Sequence, residues 1–215
     1  MENKILLLFL LTWMLILSVA AWGDIQDAPV DSVVRLSVPG GGSGTGFLMG
    51  DGRMVTAKHV AINCDMAMVA QFSDGTVEII TAPQISMSDD YDIAVIDDVK
   101  KKGKLLTIYD GDMYIGYPIY TLSMPYSYDI RFGSVGVVGS ERCTLITPQW
   151  TWTNVRMTDL HAVGGMSGGP VFNNADEVVG IVVANAEVIV LIVDNKTIQE
   201  FLDETTEKSE AKSLP

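Results

Sequence analysis

The sequence predicts an all-β protein: two antiparallel six-stranded β-barrels with a short C-terminal helix. Three observations lead there. Val and Ile are dense in short runs, a pattern that fits pleated strands better than helices. Glycine is frequent, at 20 of 215 residues, and it punctuates those runs at turn spacing. Helical spacing of apolar residues emerges only near the C-terminus, where Ile198, Phe201 and Leu202 share a face.

The elements follow in order. Val33–Val38 reads as a first strand, ended by the glycine-rich turn Pro39-Gly40-Gly41-Gly42-Ser43-Gly44. Thr45–Met49 and Met54–Thr56 form a hairpin about Gly50-Asp51-Gly52. Ala67–Phe72 and Thr76–Ile80 flank Ser73-Asp74-Gly75, a second hairpin signal, and Ile93–Ile96 is a short buried strand. These runs define a first barrel over residues 28–112, with the basic stretch Lys100–Lys104 as a surface connection. The second barrel with its helix spans residues 113–203. Its strand runs are Met113–Met124, Gly133–Gly139, Cys143–Thr147, Thr151–Met157, Gly169–Phe172, Val178–Ala184 and Val188–Val193. Asp194–Leu202 switches to helical spacing, and residues 204–215 read as a polar, frayed tail.

Composition narrows the function. Hydrophobic residues make up 48%, enough for a sizeable core. The formal net charge of −13 repels phosphate backbones, so no nucleic-acid partner is expected. No Cys or His pair has metal-ligand spacing, so neither a metal nor a cofactor is expected. Cys64 and Cys143 could form one disulfide in an oxidising compartment. Residues 1–21 stand apart. Ile5–Ala21 is apolar except for Thr12 and Ser18, and Ser18-Val19-Ala20 places small residues where a signal peptidase cuts. The segment is a signal peptide or a membrane anchor, since the run is at the short edge of a bilayer span. Either reading exports the remaining chain, to the periplasm or beyond.

Three motifs carry chemistry. In Gly164-Gly165-Met166-Ser167-Gly168-Gly169-Pro170, glycines let the chain turn tightly, exposing a serine hydroxyl and aiming backbone N–H groups at one point. Thr56-Ala57-Lys58-His59-Val60 places an imidazole at the end of an apolar strand, where it can take a proton and return it. In Asp90-Tyr91-Asp92-Ile93-Ala94-Val95, Asp92 opens an apolar strand and can hold the imidazole tautomer. Asp89 and Asp90 compete for that role but precede the strand. The chain order His59, Asp92, Ser167 is that of one of the known serine-nucleophile templates.

On these residues the chain resembles a trypsin-like serine peptidase of the chymotrypsin superfamily, closest in pattern to the HtrA/Deg protease domain. Further matching stretches are Gly44-Thr45-Gly46-Phe47, Gly133-Ser134-Val135-Gly136-Val137-Val138, Thr158-Asp159 and Glu177-Val178-Val179-Gly180-Ile181. The resemblance implies a double barrel with the active site in the cleft between barrels. It implies catalytic His59, Asp92 and Ser167, and an oxyanion hole from the N–H groups of Gly165 and Ser167. It also places His161 at the floor, and Val183-Ala184-Asn185 along one wall, of the pocket for the residue before the cut. No acidic residue stands at that floor, so a small or medium apolar residue is expected there, in protein or peptide substrates. Met166 replaces the aspartate that, in digestive relatives, pairs with a freed N-terminus. Gly164 replaces a common proline. A peptide-binding PDZ domain is not expected, because few residues follow the helix. The competing expectation is a catalytically silent module that binds peptides or a partner through the same cleft.

Overall fold

The computed structural model describes residues 29–213, apart from 63, 65–66, 101–103, 105, 126–130, 148–150 and 187. The apolar segment Ile5–Ala21 lies outside the described residues. Among those described, no helix is long and apolar enough to cross a membrane.

Two antiparallel seven-stranded sheets build the chain. The first contains β1 (Val33–Ser37), β2 (Ser43–Leu48), β3 (Met54–Thr56), β4 (Ala67–Gln71), β5 (Val77–Thr81), β6 (Ile85–Met87) and β7 (Ala94–Ile96). Its order is β5-β4-β1-β2-β3-β7-β6. The second contains β8 (Pro118–Ser123), β9 (Phe132–Val137), β10 (Cys143–Ile146), β11 (Thr151–Thr158), β12 (Pro170–Phe172), β13 (Val178–Ala186) and β14 (Ile189–Asp194). Its order is β10-β11-β14-β13-β12-β8-β9. The double-barrel architecture thus agrees with expectation, with seven strands per sheet in place of six. The strand not anticipated is β6. It follows a short 3-10 turn, Ala82–Gln84, and pairs Ile85, Ser86 and Met87 with Ile96, Val95 and Ala94. Too short for alternation to show, it exists because β7 offers a free edge.

A one-turn helix, α1 (Lys58–Ala61), interrupts the first barrel directly after β3. His59 therefore sits on a helical turn, not at a strand end. The terminal helix α2 runs Asn195–Ser213, well past the Leu202 limit read from apolar spacing. Its buried stripe is Ile198, Phe201 and Leu202. Beyond them the chain stays helical because Glu, Lys and Ala have high helix propensity, and Glu204 pairs with Lys208 one turn on.

The larger hydrophobic core is shared. It joins first-barrel residues such as Leu36, Phe47 and Ile96 to second-barrel residues Val155, Phe172 and Val193 and to the α2 stripe. A second cluster, including Met113, Leu160, Met166, Val182 and Ile192, fills the other barrel. Cys64 is buried, Cys143 is half-buried, and no disulfide joins them.

Candidate active site

α1 and the loop before β7 meet at His59 and Asp92. The imidazole Nδ1 lies 2.7 Å from Asp92 Oδ2, and the His59 backbone N–H donates to Asp92 Oδ1 at 2.9 Å. One carboxylate thus grips both the ring and the backbone of the same residue, which fixes ring orientation and leaves Nε2 to face other groups. Asp92 itself is delivered by a tight loop. The Ser88 hydroxyl accepts the N–H groups of Asp90 and Tyr91, at 3.3 and 3.1 Å, and Ser88 N–H donates to Ile93 O at 3.1 Å. Lys58 anchors the facing side by donating to the Ser88 carbonyl. Asp89 and Asp90, the competing carboxylates, stay on the exposed side of this loop.

Ser167 occupies the turn between β11 and β12. Met166 N–H donates to Val163 O at 3.1 Å, and Gly165 takes φ +90°, the signature of a type II turn over Val163–Met166. Within residues 165–169, the N–H groups of Met166, Gly168 and Gly169 donate to Val163, Val182 and Met166. Those of Gly165 and Ser167 have no backbone acceptor among the described residues. The two N–H groups expected to cradle an oxyanion are the two left uncommitted.

The first barrel holds this turn. Thr45 N–H donates to Ser167 O at 2.8 Å, and the Thr45 hydroxyl donates to Gly165 O, also at 2.8 Å. Gly168, at φ +84°, is pressed so closely on the first sheet that a Cβ there would lie 2.1 Å from Thr45 O and 2.8 Å from Ala57 N. Gly44 fits between Val60 and the Ser167 carbonyl in the same way. Ser167 is thereby docked against the segment Thr56–Val60 that carries His59. Thr45 is the residue whose part sequence reasoning missed. Its signal was a small hydroxyl side chain between two glycines in an apolar strand.

The remaining expected residues divide. His161 is exposed beside the turn, its N–H donating to Ser134 Oγ at 2.8 Å. Val183 is buried and lines a cavity of about 470 Å³ together with His59, Asp92, Tyr91, Trp152 and Val155. Ala184 is half-buried and packs against the shared core. A register shift between Val182 and Ala184 in the β13–β14 pairing re-aims the chain there. Val183 lies on the His59 side, in that cavity. Asn185 faces His161's neighbour: its side-chain amide donates to Ala162 O at 2.6 Å. Among the described residues, no cluster of three or more His, Cys, Asp or Glu side chains could hold a metal ion.

Comparison with known proteins gives a family. Residues 44–181 match the model of the trypsin-like peptidase domain. A relative named probable periplasmic serine endoprotease DegP-like, from Pseudomonas putida strain GB-1, is 31% identical over 143 residues, covering 64% of this chain. A protein of the same name from Halomonas elongata is 29% identical over 140 residues. The chain spans 28% of the length of each of these relatives. Among solved structures, the HtrA-type protease AlgW with tripeptide superposes with a TM-score of 0.71 at 20% identity, covering 86% of this chain and 63% of that one. Deg5 superposes with a TM-score of 0.67 at 20% identity, covering 82% and 88%. At that identity these two speak for the fold.

Proposed function

Because this chain belongs to the trypsin-like peptidase family, we propose that it is a serine endopeptidase acting through His59, Asp92 and Ser167. The observation that carries the reading is the docking of the Ser167 turn, through Thr45 and Gly168, against the segment bearing the Asp92-bound His59. In this mechanism His59 Nε2 takes the Ser167 proton as Oγ attacks the scissile carbonyl. Asp92 stabilises the imidazolium that forms. The carbonyl oxygen, now negative, is held by the uncommitted N–H groups of Gly165 and Ser167. His59 returns the proton to the leaving amine, and water releases the acyl group by the same steps in reverse.

The cavity beside His59 suits an apolar side chain of the substrate's acyl portion, since Tyr91, Trp152, Val155 and Val183 line it. Ser167→Ala is expected to leave folding intact and to lower kcat by on the order of 10⁴-fold or more. Labelling of the unaltered protein by a fluorophosphonate probe, lost in Ser167→Ala, checks the nucleophile directly. Absence of labelling together with peptide binding in the cleft favours the silent module.

We also propose that the domain works outside the cytoplasm. The apolar Ile5–Ala21 segment and the relatives' description as periplasmic support this. A reporter active only after export, fused after residue 30, should be active; cytoplasmic retention would refute it.

A further inference from the structure

We propose that Thr153, helped by Asn154, is a positioning residue for the reaction: a bulge in β11 turns it onto the loop that carries Asp92, and its hydroxyl sets how that carboxylate meets His59. The inference rests on the peptidase reading above. In the β10–β11 pairing Ile146 faces Thr151 and Leu145 faces Trp152, but Cys143 faces Val155. Two steps along β10 are thus matched by three along β11, and the extra residue falls at Thr153–Asn154. Asn154 takes φ +54°, a left-handed conformation that asparagine tolerates better than most side chains. In an unbroken strand Trp152 and Thr153 point to opposite faces, yet here both line the cavity beside His59. The bulge therefore brings a hydroxyl to a wall that also holds Val155, Val183 and Val193 of the second barrel, whose side chains have no hydrogen bond to donate.

Thr153 Oγ1 donates to the Asp90 carbonyl at 2.9 Å, and Asn154 Nδ2 approaches the Tyr91 hydroxyl at 3.4 Å, the long end of a hydrogen bond. The Asp90 carbonyl shares its peptide plane with the Tyr91 N–H, which donates to the buried Ser88 hydroxyl at 3.1 Å. One rigid plane is thus pinned at both edges, by Ser88 of the first barrel and by Thr153 of the second. That plane leads into Tyr91, and the next residue is Asp92, which grips the His59 ring and backbone at 2.7 and 2.9 Å. With only the Ser88 edge held, the plane can swing about that contact, and Asp92 Oδ2 shifts relative to the imidazole Nδ1. The second barrel also carries Ser167, so Thr153 makes the orientation of the base depend on the docking of the barrel that holds the nucleophile.

Thr153→Val keeps the shape of the cavity wall and deletes the donor, and Asn154→Gly keeps the left-handed turn without the amide. Both positions are half-buried, so neither substitution opens a core. A small fluorophosphonate reads the activation of Ser167 by His59 without filling the cavity, so its labelling rate separates orientation from substrate binding. Thr153→Val should slow labelling and lower kcat on a peptide by about three- to tenfold, the span of one hydrogen bond that water can partly replace, with KM little changed. The double variant should lose more than either single one. Thr153→Ser, which restores the hydroxyl, should recover most of both rates. In proton NMR the His59 Nδ1 proton should exchange with solvent faster in Thr153→Val than in the parent. Melting temperatures show that each variant is folded, and Thr153→Val alone decides the matter where the double variant is not. A Thr153→Val protein that keeps the parent's labelling rate and kcat, or changes KM alone, overturns the inference while the peptidase reading stands; so does a loss that Thr153→Ser fails to restore. A parent that does not react with the fluorophosphonate overturns both.

Discussion

Met166, next to the proposed nucleophile, is fully buried in the second-barrel cluster. Its Sδ lies 3.2 Å from Val163 N–H, so the thioether closes the type II turn from inside. A carboxylate in this apolar shell would need a buried cation as partner, whereas a thioether needs none. Insertion of a freed α-ammonium beside Met166 would leave that charge unpaired at a cost of several kcal/mol. The turn is instead held by Met166 packing and by Thr45. Activity should therefore not depend on a free N-terminus at any point near Asp24. Chains beginning at Asp24, with and without a short N-terminal tag, should turn over a peptide equally. A tagged form that is inactive until the tag is trimmed would contradict this account. At this scale the sequence was informative where chemistry constrains residue type. Asp92, not Asp89 or Asp90, meets His59, as its place at the head of an apolar strand implies. The direction of Val183 was not legible, because it depends on the shift in register between β13 and β14.

The junction of β14 and α2 turns on Asp194, a side chain 1% exposed. Its Oδ1 accepts Thr197 N–H at 3.2 Å and the Thr197 hydroxyl at 3.1 Å, capping the helix. Arg142 donates to both carboxylate oxygens, at 2.8 and 2.9 Å, and Arg156 donates to Oδ2 at 3.2 Å. One buried carboxylate thus starts α2 and ties it to the β10–β11 region. Asp194→Ala removes the cap and strands two guanidinium groups, of which Arg156 is the less able to reach water. A loss of about 3 kcal/mol is expected in urea unfolding, the lower end for breaking a buried pair, because Arg142 is partly solvated. Asp194→Asn should lose less, since it can still cap. A loss below about 1 kcal/mol for Asp194→Ala would mean the pair behaves as a surface contact. The helix start was readable in the sequence, from Asp194 ahead of the Ile198, Phe201, Leu202 stripe. Its end was not, because the segment after Leu202 is helical through propensity and carries no apolar period to detect. β6 escaped for a related reason: three residues are too few to display a period.

At the scale of the whole molecule, the two barrels share one core, and Thr45 ties the first barrel to the Ser167 turn of the second. Glycine-punctuated strands made the two halves visible in the sequence, but nothing local announces which atoms meet across 120 residues of chain. Thr45 hydroxyl to Gly165 carbonyl is such a contact. Together with Thr45 N–H to Ser167 O, it grips the carbonyls on both sides of Met166 from the opposite barrel. Thr45 is itself fixed, its own carbonyl accepting the Thr56 hydroxyl at 2.7 Å. The backbone bond does not need the Thr45 side chain, but the hydroxyl bond does. Without it the Gly165 carbonyl loses its anchor on the first barrel, and the φ of Gly165 can relax, which re-aims the adjoining Gly164–Gly165 peptide and its N–H away from the proposed oxyanion position. Thr45→Val keeps the shape and deletes the hydroxyl, removing its donation to the Gly165 carbonyl and its acceptance of the Met124 N–H at 3.3 Å. The expected result is a fall in kcat of about tenfold, the scale of one hydrogen bond, with KM little changed. Affinity for a peptide aldehyde, which mimics the tetrahedral state, should fall in parallel with kcat, because both depend on the same N–H groups. Thr45→Ser should recover most of the loss, since it restores the hydroxyl. A variant that merely loosened the core would instead lower the melting temperature and raise KM, and serine, smaller by a methyl, would not restore it. Unchanged kcat and aldehyde affinity in Thr45→Val would show that the nucleophile turn holds its geometry without the first barrel.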